Sequence, residues 1–417
     1  MVDLFSVKKK YWVYIPDYMT AVPYTGDIYG FYHESTCVFN ITARSGGDGR
    51  KFLGTIVKGG IMQQDSVTAA KGSDGQQDSF AAENDGDEKQ SLEMKAGEAA
   101  EHGSLTGIWD DGVLRFYYQG REYKAKKYAL EKNVFSRNSG ILETDWMLDK
   151  CVFILGCGSV GSFASLELAR AGTGRFVLVD NDILEYHNLC RHQCGIHEVG
   201  AFKVEAVKKR ILDINPCAEV HTYKNIVENL PKEVYDRFAG KNTLFIGCAD
   251  NREADIYANR ISMMYGSAYL SAGFWERAFA GEIFYHLPEQ NMPCYKCAVG
   301  SGGDVSARTT QSRRLYTMEE NLEDLNFEPG IAADIDFVSV IAVKLAIDIL
   351  NRFNEWYIPK LLPYLKQFTL VCNTCDVRAG GEMAEIFSYP LQVTRNIKTD
   401  FNTKGCPPCR YLEKGRD

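Results

Sequence analysis

The stretch from Cys151 to Asp182, CVFILGCGSVGSFASLELARAGTGRFVLVDND, restricts the fold more than any other part of the chain. It opens on Val152-Phe153-Ile154-Leu155, a short apolar run that reads as a buried parallel strand. Gly156, Gly158 and Gly161 follow in G-x-G-x-x-G order, and Val160, Phe163, Leu166 and Ala169 then recur at helical spacing. A second apolar run, Phe176 to Val179, ends on Asp180, about twenty residues past the glycines. Strand, glycine turn, helix, strand and acid describe a βαβ nucleotide-binding unit. The glycines let the backbone approach a phosphate, and the helix N-terminus faces its negative charge. The unit by itself leaves NAD, FAD and ATP open.

Such a unit occupies only part of 417 residues, enough for two domains or one large domain with an appendage. The formal charge of −8 and a pI near 5.6 argue against nucleic acid or an anionic membrane as the main partner. No apolar run approaches the ~18 residues of a membrane span, and the start, MVDLFSVKKK, lacks a signal-peptide core. Thirteen cysteines, several in C-x-x-C pairs and several inside apparent strands, suit a reducing compartment and a metal site. A cytoplasmic location is expected.

Residues 1–132 read as a small β-rich module separate from 133–417. Tyr11 to Ile15, Val38 to Thr42, Phe52 to Val57 and Leu114 to Tyr118 are candidate strands between Gly, Asp and Pro turns. From about 65 to 104 the composition shifts to Gly, Ser, Gln, Ala and acid, with ten acids against three lysines and few large apolar residues. That segment is expected to be a disordered acidic insertion. No catalytic constellation is visible in the module.

Beyond Asp180 the chain continues Asn181-Asp182-Ile183-Leu184-Glu185-Tyr186-His187-Asn188-Leu189-Cys190-Arg191-His192. A dehydrogenase has no use for such a segment. An enzyme handling a triphosphate does, because the planar fork of Arg191 suits charge on a transferring phosphoryl group. Lys203 opens a predicted helix from Val204 to Leu212 as a second cation. A strand from Thr243 to Cys248 runs into Ala249-Asp250-Asn251-Arg252, so Asp250 lies just past a strand's carboxyl end and is suited to Mg²⁺. Taken singly, Arg191 and Lys203 are surface charges and Asp250 a helix cap; in this order behind a nucleotide strand they read as catalytic.

The runs GCGSVGS, VDNDILEYHNLCRH, GAFKVEA, INP and CADN together resemble the ThiF/MoeB superfamily of adenylyltransferases, from about Phe135 to the C-terminus. The resemblance implies an α/β, Rossmann-like, doubly wound and mostly parallel sheet with a zinc knuckle. It also implies ATP- and Mg²⁺-dependent adenylation of the C-terminal glycine of a ubiquitin-like protein, in a bacterial-type conjugation or sulfur-transfer pathway. Gly156, Gly158, Gly161, Asp180, Asp182, Asn188 and Asn251 would then bind the nucleotide, Asp180 through the ribose. Asn188, Arg191 and Lys203 would handle phosphate, and Asp250 would hold Mg²⁺. Arg137, in a segment resembling the family's R-Y-S-R-Q opening, would reach across a homodimer interface. One departure is visible: the family's arginine after D-N falls at or near Asp255, so that contact is lost or Arg252 replaces it.

Three C-x-x-C pairs are present: Cys294/Cys297, Cys372/Cys375 and Cys406/Cys409. Two pairs make a closed tetrahedral Zn²⁺ site, and the resemblance selects Cys294, Cys297, Cys406 and Cys409. Cys372 and Cys375, at the end of an apparent strand, read instead as core or turn residues. In thioester-forming members a catalytic cysteine follows the first knuckle. Here the crossover segment, 298–336, contains none. Either the acyl-adenylate passes to another nucleophile, such as a conjugating enzyme, or a crossover serine (Ser301, Ser306 or Ser312) takes it as an ester. Adenylation of another carboxylate or peptide, and an NAD(P)- or FAD-dependent Rossmann oxidoreductase, are the alternatives.

Overall fold

The computed structural model describes residues 9–44, 50–58, 103–129, 133–249, 251–301, 330–389, 395–397, 399–400 and 406. The acidic insertion, except its last two residues, therefore lies outside the described residues, as do Asp250, Ser306, Ser312 and Cys409. The chain divides into two compact units, Met1–Asn133 and Val134–Asp417.

The first unit is a closed barrel of seven strands in the order β1-β3-β2-β4-β5-β6-β7. These are β1 (Trp12–Pro16), β2 (Gly26–His33), β3 (Val38–Ala43), β4 (Lys51–Lys58), β5 (Leu105–Asp110), β6 (Val113–Tyr118) and β7 (Arg121–Tyr128). Alternate residues, among them Val13, Ile15, Ile28, Phe39, Ile41 and Phe116, fill its interior. Three of the seven strands escape the sequence criteria. β2 carries two glycines, β5 is bounded by turn residues and interrupted by Gly107, and β7, REYKAKKY, has a charge pattern that masks its pairing.

The second unit is built on an eight-stranded sheet, β10-β9-β8-β11-β12-β13-β14-β15. Its strands are β8 (Cys151–Leu155), β9 (Arg175–Val179), β10 (Glu219–Tyr223), β11 (Thr243–Gly247), β12 (Ala268–Phe274), β13 (Ala280–His286), β14 (Phe368–Cys372) and β15 (Arg395–Ile397). The first five in spatial order pair in parallel and the rest antiparallel. The helices used below are α1 (Ser159–Arg170), α2 (Lys203–Ile214), α3 (Lys232–Phe238), α4 (Arg252–Met264), α5 (Tyr295–Ser301) and α6 (Ala332–Leu350).

Both faces of the sheet are covered, which is why β8 and β11 read as unbroken apolar runs. Val152, Ile154, Leu244 and Ile246 belong to the core that includes Leu166 of α1 and Leu345 of α6. Phe153, Leu155 and Phe245 belong to the opposite core with Tyr235 and Phe238 of α3 and Ala258 of α4. The Phe153 and Phe245 rings stack with centroids 4.3 Å apart. Helix α6 starts at Ala332, inside the crossover segment, where Ala332-Ala333 are strong helix formers. The 298–336 segment thus begins in α5 and ends in α6, with 302–329 outside the described residues.

Burial at the end of β13 has a measurable consequence. His286 is fully buried, and loss of hydration pulls its pKa down from 6.5 to about 4. Between those values the unfolded chain binds a proton that the folded chain does not, so stability falls as pH is lowered through this window. The expected loss by pH 5 is about 2 kcal/mol. Denaturant midpoints at pH 7.5 and 5 should therefore differ less in His286→Leu than in the wild type. An unchanged difference would show that another group carries the acid sensitivity.

Candidate nucleotide site

The chain leaves β8 for β9 and β10 on one side, then returns to place β11 on the other. The carboxyl ends of β8 and β11 therefore flank the point where the strand order reverses, the place where open α/β sheets bind ligands. Three glycines shape that crevice in different ways. Gly156 has φ +97°, and a Cβ there would lie 2.9 Å from the Ala249 nitrogen. At Gly161 it would lie 1.8 Å from the Gly156 carbonyl oxygen. Gly158, at the N-cap of α1, faces open space with no atom within 4 Å. Two glycines close the turn, and the third leaves room where a phosphate would approach.

Asp180 ties this turn to the end of β9. Its Oδ2 accepts the Cys157 N–H at 2.7 Å and its Oδ1 the Asp182 N–H at 2.8 Å. Burial raises its pKa, opposed by the nearby Lys203 charge and by the two backbone bonds. Each carboxylate oxygen retains acceptor capacity for a ligand hydroxyl. Lys203 opens α2 and is held by Asp182. Its Nζ lies 2.8 Å from Asp182 Oδ2, and its N–H donates to the Asp182 carbonyl at 2.9 Å. The Lys203 side chain is 12% exposed against 50% for Asp182, so the ammonium is shielded while its partner faces solvent.

The turn after β9 presents Arg191. Asn188 closes it. Its Oδ1 accepts the Glu185 N–H at 2.9 Å, and its carbonyl accepts the N–H groups of Arg191 and His192. Arg191 is half-buried, and no hydrogen bond or ion pair engages its guanidinium among the described residues. Immediately after it, His192 is buried and bridges two backbone groups, 2.8 Å from the Cys157 carbonyl through Nε2 and 3.0 Å from the Cys194 N–H through Nδ1. The Gln193 N–H donates to Ser162 Oγ of α1 at 3.3 Å. The arginine turn is thus fastened to the glycine turn and its helix just past Arg191. Ser162 and His192 end the runs GCGSVGS and VDNDILEYHNLCRH, but nothing in those runs gives either residue a contact; only the fold shows the bridge.

The loop after β11 contributes differently. Asp250 lies outside the described residues. The Asn251 side chain accepts the Glu253 N–H at 2.9 Å and caps α4. Arg252, the candidate replacement for the family's displaced arginine, opens α4. Its guanidinium is buried 3.3 Å from Glu282 of β13, which also accepts from Trp275 Nε1 and the Tyr295 hydroxyl, each at 3.2 Å. Asp255 is buried too and accepts the Tyr269 hydroxyl at 2.9 Å. Arg137 sits exposed in a turn, with no hydrogen bond or ion pair among the described residues.

Away from the crevice, Cys294, Cys297 and Cys406 converge. Their sulfurs lie within 4.8 Å of one another, all three residues are buried, and the Cys294 and Cys406 sulfurs are 3.4 Å apart. The edge of a ZnS₄ tetrahedron with 2.3 Å bonds is about 3.8 Å, so three thiols already have the spacing and donor type that Zn²⁺ requires. Cys409 lies outside the described residues. Cys372 belongs to a separate core on β14, with its Sγ 3.2 Å from the Thr374 carbonyl, and Cys375 packs beside it.

Comparisons with known proteins bear on this arrangement. Among curated proteins, ubiquitin-like modifier-activating enzyme 5 of Caenorhabditis elegans is 27% identical over 207 residues, covering 45% of this chain and 49% of that protein. The Xenopus laevis protein of the same name is 29% identical over 206 residues, covering 45% and 52%. The chain thus spans about half the length of the curated relatives it matches. Among solved structures, E. coli MccB with ATP is 21% identical with a TM-score of 0.41, over 55% of this chain and 62% of that one. PaaA is 17% identical with a TM-score of 0.43, over 55% and 71%. The model of the ThiF family matches residues 135–380, well over half of the chain. The glycine turn, the acid after β9 and the lysine beside it all lie within the matched residues, and the chain belongs to the ThiF family.

Proposed function

We propose that this chain adenylates the C-terminal carboxylate of a ubiquitin-like protein ending in glycine, using ATP and Mg²⁺ and acting as a cytoplasmic homodimer. Family membership and the relatives named ubiquitin-like modifier-activating enzyme 5 support the class of reaction. The observation that carries it is Lys203, held by Asp182 beside Asp180 at the glycine turn, with the Arg191 turn fastened to that same turn through His192.

In the proposed step a carboxylate oxygen attacks the α-phosphorus of ATP. The new O–P bond forms as the bond to the bridging α–β oxygen breaks, and pyrophosphate leaves with that electron pair. The carboxylate is already ionised at neutral pH, so no general base is required. The chain's work is positioning and charge. The open face at Gly158 and the N-terminus of α1 receive phosphate. Lys203, aimed by Asp182, and Arg191, aimed by the Asn188 turn, oppose charge on the phosphoryl oxygens and the leaving group. Mg²⁺ held at Asp250 would neutralise part of the triphosphate charge. With no cysteine in 298–336, the adenylate is proposed to pass to a nucleophile on another protein, a conjugating enzyme or sulfur carrier. Arg137 is assigned to the partner subunit's nucleotide.

ATP–pyrophosphate exchange with a glycine-tailed ubiquitin-like protein tests the reading. Substrate-dependent exchange, lost in Asp250→Ala, supports it. Absence of exchange with tight binding of a nicotinamide or flavin would replace it with an oxidoreductase.

The four cysteines Cys294, Cys297, Cys406 and Cys409 are proposed to hold one structural Zn²⁺. Metal analysis should return about one zinc per chain. Cys294→Ser should release it and lower the unfolding temperature by several degrees. Full zinc content in that variant would remove Cys294 from the ligand set.

A further inference from the structure

The barrel is sealed unevenly. β6 and β7 pair at Phe116↔Tyr123, Tyr117↔Glu122 and Tyr118↔Arg121. The same register would next set Arg115 opposite Lys124 and Leu114 opposite Ala125, and neither pair forms. Each strand remains paired on its other edge, β6 with β5 as far as Asp110↔Val113 and β7 with β1 from Trp12↔Lys124 to Pro16↔Tyr128. The two inner edges therefore diverge into a seam. The Lys124 N–H donates to the Tyr11 carbonyl on the β1 side at 2.9 Å. Backbone direction alternates along a strand, so the N–H and C=O of Ala125 and Lys127 point into the seam, where no strand pairs with them among the described residues.

A depression of about 770 Å³ lies along this seam, a size usual for a ligand site. Its lining includes Tyr11, Trp109 and Leu114, the last two buried. Tyr11 holds a φ of +52°, rare for an aromatic residue. The rim carries Lys10, Arg115, Lys124 and Lys127, all exposed. Among the described lining residues Glu122 is the only carboxylate, and it lies 3.5 Å from Arg115. A chain of net charge −8 thus concentrates cations around one open strand edge.

We propose that this seam is a strand-addition site for an extended acidic segment of a partner protein. The segment's backbone pairs with Ala125 and Lys127, its carboxylates meet the rim, and the alternate apolar side chains drop onto Tyr11, Trp109 and Leu114. Charge complementarity selects the partner, and the period of two sets its pattern of acid alternating with apolar.

The probe is a capped ten-residue peptide alternating Glu with Val and Phe, titrated into the full-length chain and followed by tryptophan fluorescence. A second peptide has the same composition with the glutamates grouped. The alternating peptide should bind at least tenfold more tightly. Lys124→Glu with Lys127→Glu should weaken it at least tenfold, while Lys51→Glu, on β4 and outside the seam, should leave it unchanged. These are exposed positions, and far-ultraviolet circular dichroism confirms that the double variant is folded. Equal binding of the two peptides, or none, would overturn the proposal and reduce the lysines to edge protection. Binding seen only after deletion of residues 65–101 would also overturn it, by giving the seam to the chain's own acidic insertion.

Discussion

Lys203→Ala should lower substrate-dependent ATP–pyrophosphate exchange by about two to three orders of magnitude, the effect of removing one preorganised charge donor from a developing oxyanion. Shielding is what gives this lysine its weight. Its side chain is 12% exposed and its ammonium is fixed 2.8 Å from Asp182, whereas a free surface lysine would be screened and mobile. The fold should survive, because the lost ion pair leaves only a half-exposed Asp182 behind. Arg191→Ala should act on the same scale, and Arg191→Lys should recover only part of the loss, since a point charge cannot reproduce a planar fork. The split between constants separates two roles. Loss of a contact made with phosphate in the ground state raises the KM for ATP; loss of one made only with charge that develops in the transition state lowers kcat. Wild-type exchange in both alanine variants, with folding confirmed, would dismantle the assignment of this crevice as the phosphate site.

How much of this was legible beforehand depended on whether a residue acts through pattern or through contact. Gly156, Gly158 and Gly161 announce themselves, because their spacing follows from the geometry of a strand, a turn and a helix start. β8 is equally plain as a buried parallel strand, and β11 as a strand that runs into the Asp250 loop. The antiparallel side of the sheet was less so, since β13, AGEIFYH, is buried on both faces and yet carries Glu282 and His286 in its core. Arg252 shows the limit from the other direction. Position alone made it a candidate replacement for the family's arginine, and only the fold reveals Glu282 thirty residues later as its partner. In the barrel, β7 hid for the same reason. Its lysines look like a solvated run until β1 is seen paired along it.

His192→Ala is expected to be the most damaging change among residues that never touch the nucleotide, and His192→Gln its near-complete rescue. The argument starts from hydrogen-bond chemistry. A backbone N–H can only donate, so Nδ1, 3.0 Å from the Cys194 nitrogen, must accept. The proton then resides on Nε2 and is donated to the Cys157 carbonyl 2.8 Å away. The ring is therefore neutral, in agreement with burial, which pulls its pKa below 6.5; nearby Lys203 adds to that and Glu198 opposes it. Alanine would leave a buried carbonyl and a buried N–H without partners, a loss of about 2–4 kcal/mol. It would also release the turn that aims Arg191, and a displacement of about 1 Å there costs exchange up to a hundredfold. Glutamine offers one donor and one acceptor at similar reach and should restore exchange to within a few-fold. A residue that merely filled space would instead be rescued by leucine. The pH profile supplies a second reading. Protonation removes the Nδ1 acceptor, so wild-type exchange should decline on an acid limb below pH 6.5 that is absent in His192→Gln. Nitrogen chemical shifts should report a neutral ring protonated at Nε2 at pH 7. An imidazolium at pH 7, or rescue by leucine rather than glutamine, would refute the bridging role.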